Sequence, residues 1–342
     1  MNAEKRLVHL DALRGIAAML VVIDHFVERT PLNASPFFTY LNLGQMGVVI
    51  FFVLSGMVIP YSLKADSSLL GFATSRIFRL YPAYWFSIAL AVLSNHFFLS
   101  TTTSLRDILI NMTMLQSLFS TSNLFGIYWT LIIELAFYIF CALLSGAGLL
   151  KKQKIRFIVS IVLLILALFL SILRFHLEKK LPVAVPLCMS IMFFGSLWRD
   201  VSLGSTDQKP HKYSFIWLTL FFVLLVPICL LAYNKDYGHG ENAIAYLLSY
   251  TGGLVFTLVT TLYFRRRISS LIMMGYISYS MYLVHPFLLE WISSKVDMAS
   301  SFNISAFLVY LVTTGALASA TYLLIEKPFL KFGNALRIRI TD

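Results

Sequence analysis

The sequence has 342 residues, of which 58% are hydrophobic and 13% are charged, and its formal net charge is +11. Soluble domains carry about 25% charged residues, so this composition excludes an ordinary soluble protein of this length. It predicts an integral protein of a lipid bilayer, in which excess Lys and Arg mark cytoplasmic loops and no nucleic acid is bound.

Apolar blocks recur along the chain, each near the ~20 residues that a helix needs to cross a bilayer. They predict an all-α, polytopic integral membrane protein with about ten transmembrane helices in a single domain, residues 1–342. A weaker stretch, 105–120, is too polar to span and is expected to be interfacial or re-entrant. The predicted spans are 8–28, 43–63, 77–99, 127–147, 156–174, 183–198, 214–233, 243–264, 271–293 and 304–325.

The distribution of basic residues predicts how the chain is oriented. With the N-terminus inside, nineteen of the 27 Lys and Arg residues fall in cytoplasmic segments and seven in outer ones. The loop 174–180 is the one basic outer segment. Excess positive charge in short loops is typical of the cytoplasmic side, so both termini are expected to be cytoplasmic.

The three cysteines, Cys141, Cys188 and Cys229, all lie inside apolar blocks. Their spacing fits neither a disulfide framework nor a metal site. We therefore expect no metal and no permanently bound cofactor.

The first span, LDALRGIAAMLVVIDHF at residues 10–26, contains several ionisable side chains. A charge at the bilayer centre costs roughly 2.5–3.5 kcal/mol, which makes such residues functional candidates. At about 100° and about 1.5 Å per residue, Arg14 and His25 project within ~20° of each other and lie ~16 Å apart. Asp11 shares this stripe, whereas Asp24 points about 100° away, toward a different neighbour. The structural alternative pairs Asp11 with Arg14 and leaves His25 at the outer interface.

The third span opens with RIFRLYPAYW at residues 76–85. Arg76 and Arg79 are three residues apart and therefore share one helix face at the cytoplasmic end. Two guanidinium groups in this position can hold phosphate groups through paired hydrogen bonds. Simple anchoring by positive charge at the inner interface is the alternative, and the spacing alone favours it.

The fourth and ninth spans hold further polar side chains toward the outer face. Glu134, in the motif YWTLIIELAFY, lies at a depth similar to that of His25, where a carboxylate can orient an imidazole. A structural Glu134 that pairs with another helix is the alternative. The motif GYISYSMYLVHPF brings Tyr282 and His285 together before Pro286, either as an acceptor-side wall or as a plain kink.

Together these segments resemble the membrane-bound acyltransferase-3 family, whose members are integral-membrane O-acyltransferases of surface polysaccharides and other extracytoplasmic acceptors. The resemblance runs from residue 10 to about residue 329, nearly the whole chain. Each motif alone is weak, whereas their shared order and spacing are specific. The matching motifs are LDALRG, the pair Arg14 and His25 with ten residues between them, FFVLSG at 51–56, Arg76-x-x-Arg79 with LYPAYW, YWTLIIE ending at Glu134, ISYSMYLVHP and Glu326-x-Pro328.

The resemblance implies transfer of an acyl group, usually acetyl, from cytoplasmic acyl-CoA to a hydroxyl of an extracytoplasmic acceptor. The acceptor is expected to be a sugar of O-antigen or of another surface polysaccharide, and the location the inner membrane of a bacterium. By the same resemblance, His25 is catalytic, Arg14 is essential, and Arg76 and Arg79 bind the donor. Glu134 matches a recurrent carboxylate of the family.

A hypothesis for the reaction follows from these positions. His25 acts as general base on the acceptor hydroxyl, with Glu134 or Asp24 as the carboxylate that orients it. An acyl-histidine intermediate is the variant that stays open. The arginines are expected at the cytoplasmic end of the bundle. His25, Glu134 and His285 are expected at the outer end, with Tyr282 on the acceptor side.

Two other classes of protein fit parts of this pattern. A transporter or flippase of a lipid-linked sugar or small molecule also needs about ten helices and intramembrane charges. The paired, broken helices typical of such transporters are not found in the sequence. A non-catalytic sensor or assembly subunit is the third class, and it does not explain the shared stripe of Arg14 and His25.

Overall fold

The computed structural model describes residues 8–63, 68–238, 240–264 and 268–341, and within these ranges the only regular elements are helices. Short 3₁₀ helices occupy Pro31–Ala34 and Gln116–Phe119, and a π-helical turn occupies Tyr322–Glu326. The α-helices are α1 (Val8–Glu28), α2 (Pro36–Tyr40), α3 (Leu43–Ser62), α4 (Leu69–Phe97), α5 (Leu105–Met112), α6 (Tyr128–Gly146), α7 (Gln153–Leu177), α8 (Ala184–Ser202), α9 (Gln208–Ala232), α10 (Ala243–Tyr263), α11 (Ser269–Ser293), α12 (Ile304–Thr321) and α13 (Lys327–Thr341).

The prediction of an all-α, polytopic membrane protein is confirmed. Each of the ten predicted spans coincides with a helix, and nine helices of the described ranges are long and apolar enough to cross a bilayer. The tenth, α1, has 21 residues but carries charged side chains. The orientation of the termini stays a prediction. Residues 1–7, 64–67 and 265–267, which hold part of the charge that is predicted to be cytoplasmic, lie outside the described residues.

Helix α1 tolerates its charges because it lies inside the bundle, packed against α3 and α11. Its crossing with α11 is close, since a Cβ atom added to Gly275 would lie 1.9 Å from the carbonyl oxygen of Asp11. A Cβ atom on Gly15 would lie 2.8 Å from the carbonyl oxygen of Leu271. Only glycine lets two helix backbones approach this closely, and the contact sets α1 side by side with α11.

A second close crossing joins α3 to α8. A Cβ atom on Gly56 would lie 1.8 Å from the carbonyl oxygen of Met192, and one on Gly195 would lie 2.3 Å from that of Val53. Gly56, in the FFVLSG block, is therefore a packing residue. Its neighbour Ser55 lines a cavity on another side of α3.

The stretch 105–120 does not span the membrane. It forms α5, of only 8 residues, and a short 3₁₀ helix, with apolar side chains such as Leu105 and Leu118 exposed. The Asn111 side chain fixes this segment by donating to the carbonyl of Ser122 and accepting from the backbone N–H of Leu124. Exposed apolar residues on a short, fixed segment suit an interfacial piece, and the choice between an interfacial and a re-entrant position stays a prediction.

The last predicted span, 304–325, continues further than expected. The π-helical turn joins α12 to α13, so that helical structure extends to Thr341. Glu326, in this turn, is buried and accepts a hydrogen bond of 2.8 Å from the Ser280 hydroxyl of α11. Helix α13 then packs against α4 and contributes Leu330 and Asn334 to the cavity lining.

Candidate active site

A cavity of about 360 Å³ lies between α1, α3, α4, α6, α11 and α13. Its volume is in the range of ligand pockets, and its lining combines apolar walls with a concentrated set of polar groups. Three arginines and one carboxylate belong to this lining, which gives it a surplus of positive charge. The polar lining residues are Arg14, Ser55, Ser75, Arg76, Arg79, Thr130, Glu134, Tyr138, Ser278, Tyr279, Tyr282 and Asn334.

The structure brings together the three arginines that the sequence singles out. Arg76 and Arg79, one turn apart on α4, both line the cavity, and Arg14 reaches it from α1. The Arg76 guanidinium lies 5.7 Å from the ring centroid of Tyr138, and its buried Nε has no hydrogen-bond partner within the described part of the chain. Arg14 lies 3.5 Å from the Asp11 carboxylate, so the structural alternative for that pair also holds. Three guanidinium groups around one cavity favour an anionic ligand.

Glu134 belongs to this cavity and not to the surroundings of His25. Its carboxylate accepts hydrogen bonds from the Ser55 hydroxyl, at 3.3 Å, and from the Tyr138 hydroxyl one turn along α6. These contacts do not include His25, and the predicted role of Glu134 as its orienting carboxylate stays a prediction. Similar depth in the membrane does not make two residues neighbours, and the Glu134 side chain meets α3 at Ser55.

Asp24, the other predicted orienting carboxylate, also has a different partner in the structure. Its carboxylate accepts a hydrogen bond of 2.9 Å from the backbone N–H of Leu43, at the first turn of α3. A Cβ atom on Gly44 would lie only 2.7 Å from this carboxylate, so the lack of a side chain there permits the contact. Asp24 thus stabilises an unpaired N–H at a helix N-terminus, from a neighbouring helix. It does not contact His25 as the predicted orienting carboxylate.

The partner of His25 is His285. His25 Nδ1 lies 2.8 Å from His285 Nε2, and the two rings meet edge to edge, with centroids 5.0 Å apart and planes 19° apart. His285 is fully buried, whereas the His25 side chain is 29% exposed. The other ring nitrogen of His25, Nε2, lies 4.0 Å from the Glu28 carboxylate. The two histidines that the sequence predicts at the outer end therefore form one unit.

Tyr282 connects the cavity to the histidine pair. Its side chain lines the cavity, and its ring centroid is 5.9 Å from that of His285. The Tyr282 hydroxyl is held by the Thr130 hydroxyl at 2.7 Å and donates to the carbonyl of Ile127. Tyr279, Tyr282 and His285 follow one another along α11, so about 9 Å of this helix joins the arginine cavity to the histidines.

Sequence reasoning missed several residues of this site. The FFVLSG motif contains Ser55 without giving it a role in the site, and Tyr138 and Glu28 are not among the predicted site residues. Tyr138 follows Glu134 by four residues, and Glu28 follows His25 by three, so the helical spacing of neighbouring side chains was the available signal. The spacing identifies Tyr138 and Glu28 only as neighbours of Glu134 and His25, and not as site residues by themselves.

The comparisons with known proteins concern the chain as a whole. The chain matches the family described as "Acyltransferase domain" (Acyl_transf_3) over residues 7–323. It is similar to the "Putative acetyltransferase ORF330" of Acidianus two-tailed virus, at 24% identity over 220 residues. That match covers 63% of this chain and 64% of the relative, so the chain spans just under two thirds of the relative's length. No solved structure matches the chain.

The family match includes Arg14, both arginines of α4, Glu134 and both histidines, and it ends before α13. Of the residues that carry the resemblance, Arg14, Arg76, Arg79 and Glu134 line the cavity, and His25 pairs with His285. This chain therefore belongs to the acyltransferase domain family, the acyltransferase-3 family that its sequence motifs predict.

Proposed function

We propose that this acyltransferase moves an acyl group, acetyl as the default, from cytoplasmic acyl-CoA to a hydroxyl of an acceptor on the outer side of the membrane. The observation that carries the proposal is the continuous arrangement of an arginine-lined cavity, Tyr282 and the pair of His285 and His25. It provides an end that binds anions and an end for acid–base chemistry within one bundle.

The donor end is the cavity. Acyl-CoA carries several phosphates, and Arg14, Arg76 and Arg79 supply the matching positive charge. These residues lie near the end of the bundle where α3 finishes and α4 begins, which the charge distribution predicts to be cytoplasmic. The apolar part of the lining suits the pantetheine arm. Glu134, as an acceptor of hydrogen bonds inside this cavity, then belongs to the donor side.

The reacting end is His25. Its imidazole takes the proton from the acceptor hydroxyl as the oxygen attacks the thioester carbonyl carbon, and it returns that proton to the CoA sulfur when the C–S bond breaks. General base catalysis by a positioned histidine contributes about 10²–10⁴-fold to rate. An acyl-histidine intermediate uses the same residue, and single-turnover trapping distinguishes the two routes.

The acceptor that we propose is a sugar of O-antigen or of another surface polysaccharide, at the inner membrane of a bacterium. His25 supports an outer-side acceptor because it lies near the C-terminal end of α1, about 16 Å along the helix from Arg14. The sugar class rests on the family resemblance. Mass spectrometry of surface glycans with and without the gene tests it, because loss of one acyl mass identifies acyl group and acceptor together.

The test of the reaction uses membranes that contain the protein and labelled acetyl-CoA. His25→Ala is expected to abolish transfer while expression is unchanged, and His96→Ala, an exposed histidine at the end of α4, serves as the matched control. Full transfer by the His25 variant would overturn the assignment of the base. Movement of a glycan across the membrane without any acyl donor would instead support the transporter alternative.

A further inference from the structure

In the pair formed by His25 and His285, one ring nitrogen donates a hydrogen bond and the other accepts it. The two atoms are His25 Nδ1 and His285 Nε2, 2.8 Å apart. A neutral imidazole has one N–H donor and one lone-pair acceptor. The direction of this single hydrogen bond therefore fixes the tautomer of both rings.

The surroundings of His285 determine which of its nitrogens carries the hydrogen. Its ring is fully buried, and Nδ1 lies 3.2 Å from the carbonyl oxygen of Met281. The carbonyl of Tyr282 also lies beside the ring, and it lacks its usual helical partner because Pro286 has no N–H. Carbonyl oxygens only accept hydrogen bonds, so the hydrogen of a neutral His285 is on Nδ1.

The position of the hydrogen on His285 fixes that on His25. With Nδ1 protonated, Nε2 of His285 has a lone pair and accepts the hydrogen bond from Nδ1–H of His25. Nε2 of His25 then keeps a lone pair. We propose that His285 is a positioning residue that holds His25 in this tautomer, so that Nε2 of His25 is the atom that acts as base. This inference rests on the proposed function, in which His25 is the general base.

The opposite tautomer would disable the site. If His285 donated through Nε2, its Nδ1 lone pair would face the carbonyl oxygen of Met281, and two buried acceptors without a hydrogen between them are unfavourable. Nε2 of His25 would then carry a hydrogen and could not take a proton from the acceptor. The carbonyls around His285 thus decide whether His25 is a base.

The proposed base, Nε2 of His25, belongs to a partly exposed side chain with one carboxylate nearby. The His25 side chain is partly exposed, and the Glu28 carboxylate lies 4.0 Å from Nε2, beyond hydrogen-bond distance. The neighbouring cation, Arg29, is paired with Glu290 on α11. An acceptor hydroxyl can therefore approach Nε2 without displacing a hydrogen-bond partner among the described residues.

The proton balance of the reaction follows. The acceptor hydroxyl gives its proton to Nε2 of His25 while its oxygen bonds to the acyl carbon. The C–S bond breaks, and the CoA sulfur takes the proton from Nε2. His285 keeps its own hydrogen throughout, and its Nε2 lone pair stabilises the transient positive charge on His25 through the hydrogen bond from Nδ1.

The first test reads the tautomer directly. Full-length protein labelled with ¹⁵N at histidine is studied by NMR in detergent micelles, and the His25 signals are assigned from their loss in His25→Gln. We expect a protonated Nδ1 and an unprotonated Nε2 for neutral His25. A protonated Nε2 with a bare Nδ1 would overturn the inference, whether or not the protein is active.

The second test uses two substitutions of similar size. His285→Gln keeps a side-chain oxygen that can accept from His25 Nδ1, whereas His285→Met does not. We expect kcat to be about 100-fold lower than in the wild type for His285→Met, and at least tenfold higher in His285→Gln than in His285→Met. The KM for acetyl-CoA is expected to be unchanged in both variants. Equal kcat values for the two variants, high or low, would contradict the inference, and His96→Gln controls for a histidine remote from the pair.

Failure of this inference differs from failure of the proposed function. If His25→Ala stays active, the proposed base is wrong, whatever the tautomer. If His25→Ala is inactive while His285→Met keeps the wild-type kcat, the base stands and the positioning role of His285 falls.

Discussion

Three guanidinium groups share one cavity with a single lining carboxylate, and Arg76 is the one whose role is easiest to isolate. It contacts rings rather than a carboxylate, and its Nε is buried without a hydrogen-bond partner in the described ranges. Loss of a hydrogen bond to a charged group costs about 1.5–3 kcal/mol. We therefore expect Arg76→Ala to raise the KM for acetyl-CoA about 10- to 100-fold, with a smaller change in kcat.

Initial rates over a range of acetyl-CoA concentrations measure this effect. Arg106→Ala is the matched control, because Arg106 is an exposed arginine on α5, away from the cavity lining. An unchanged donor dependence in Arg76→Ala would remove Arg76 from the donor site and return it to membrane anchoring.

Asp24 separates a structural role from a catalytic one. Its carboxylate accepts from the N–H of Leu43 at the start of α3, a contact similar in kind to a helix cap. Loss of such an acceptor costs about 0.5–2 kcal/mol of folding free energy. We expect Asp24→Ala to lower the unfolding temperature in detergent with kcat largely kept, and Asp24→Asn, which retains an acceptor oxygen, to resemble the wild type. A large fall in kcat for both variants would restore the orienting role.

Residue-level reasoning identified the members of the site better than their partners. The helical angles placed Arg14 and His25 on one stripe, and the structure puts Arg14 in the cavity and His25 against α11. Asp24 meets a different neighbour, as its angle predicted, and that neighbour is α3. The partner of Glu134 was predicted from depth alone. Depth restricts a residue to a layer of the membrane, but the neighbour within that layer depends on helix packing, which one sequence does not contain.

At the scale of elements, the crossing of α1 and α11 controls the histidine pair. Gly275 and Gly15 bring the two backbones into contact ten residues before His285 and His25 respectively. A methyl group on Gly275 would meet the carbonyl of Asp11 at 1.9 Å, so Gly275→Ala must push the helices apart. Overpacking of this kind costs about 1–3 kcal/mol, and we expect a more than tenfold loss of transfer activity as His25 and His285 separate.

Gly315→Ala is the control for this substitution. Gly315 lies within α12, and a Cβ atom there has no neighbour within 4 Å in the described structure. Replacement of a helical glycine by alanine there is expected to stabilise the helix by about 1 kcal/mol without loss of activity. Activity assays and thermal unfolding of both variants, side by side, measure the difference. Equal behaviour of the two would show that the crossing does not control the site.

Helix existence was predictable, whereas helix adjacency was not. Length and hydropathy alone predict where each span begins and ends, because a bilayer fixes how many apolar residues a helix needs. The pairing of α1 with α11 depends on glycines that meet across 260 residues of chain, and no local pattern identifies such a partner. The extension of the last span through the π-helical turn to Thr341 was also missed, since Lys327 and Pro328 end the apolar block that the hydropathy follows.

For the whole molecule, the buried polar side chains fall into two groups of different chemical character. Glu134 joins the arginines in the cavity, which leaves the histidine pair as the polar centre of the other end, with Glu28 and the ion pair of Arg29 and Glu290 nearby. In the proposed transfer reaction, these two groups face different compartments. Its direction depends on the predicted orientation, in which the loop between α8 and α9 is cytoplasmic and the loop between α11 and α12 is external.

Single added cysteines test this orientation. The three native cysteines are buried and free, so they provide an unreactive background. Thr206 and Ser300 are exposed residues in the two loops that are predicted on opposite sides. In right-side-out vesicles, an impermeant maleimide is expected to label Ser300→Cys at once, and Thr206→Cys only after permeabilisation. The reverse pattern would put the arginine cavity on the outer side, where no acyl-CoA is available, and the proposed donor would then be excluded.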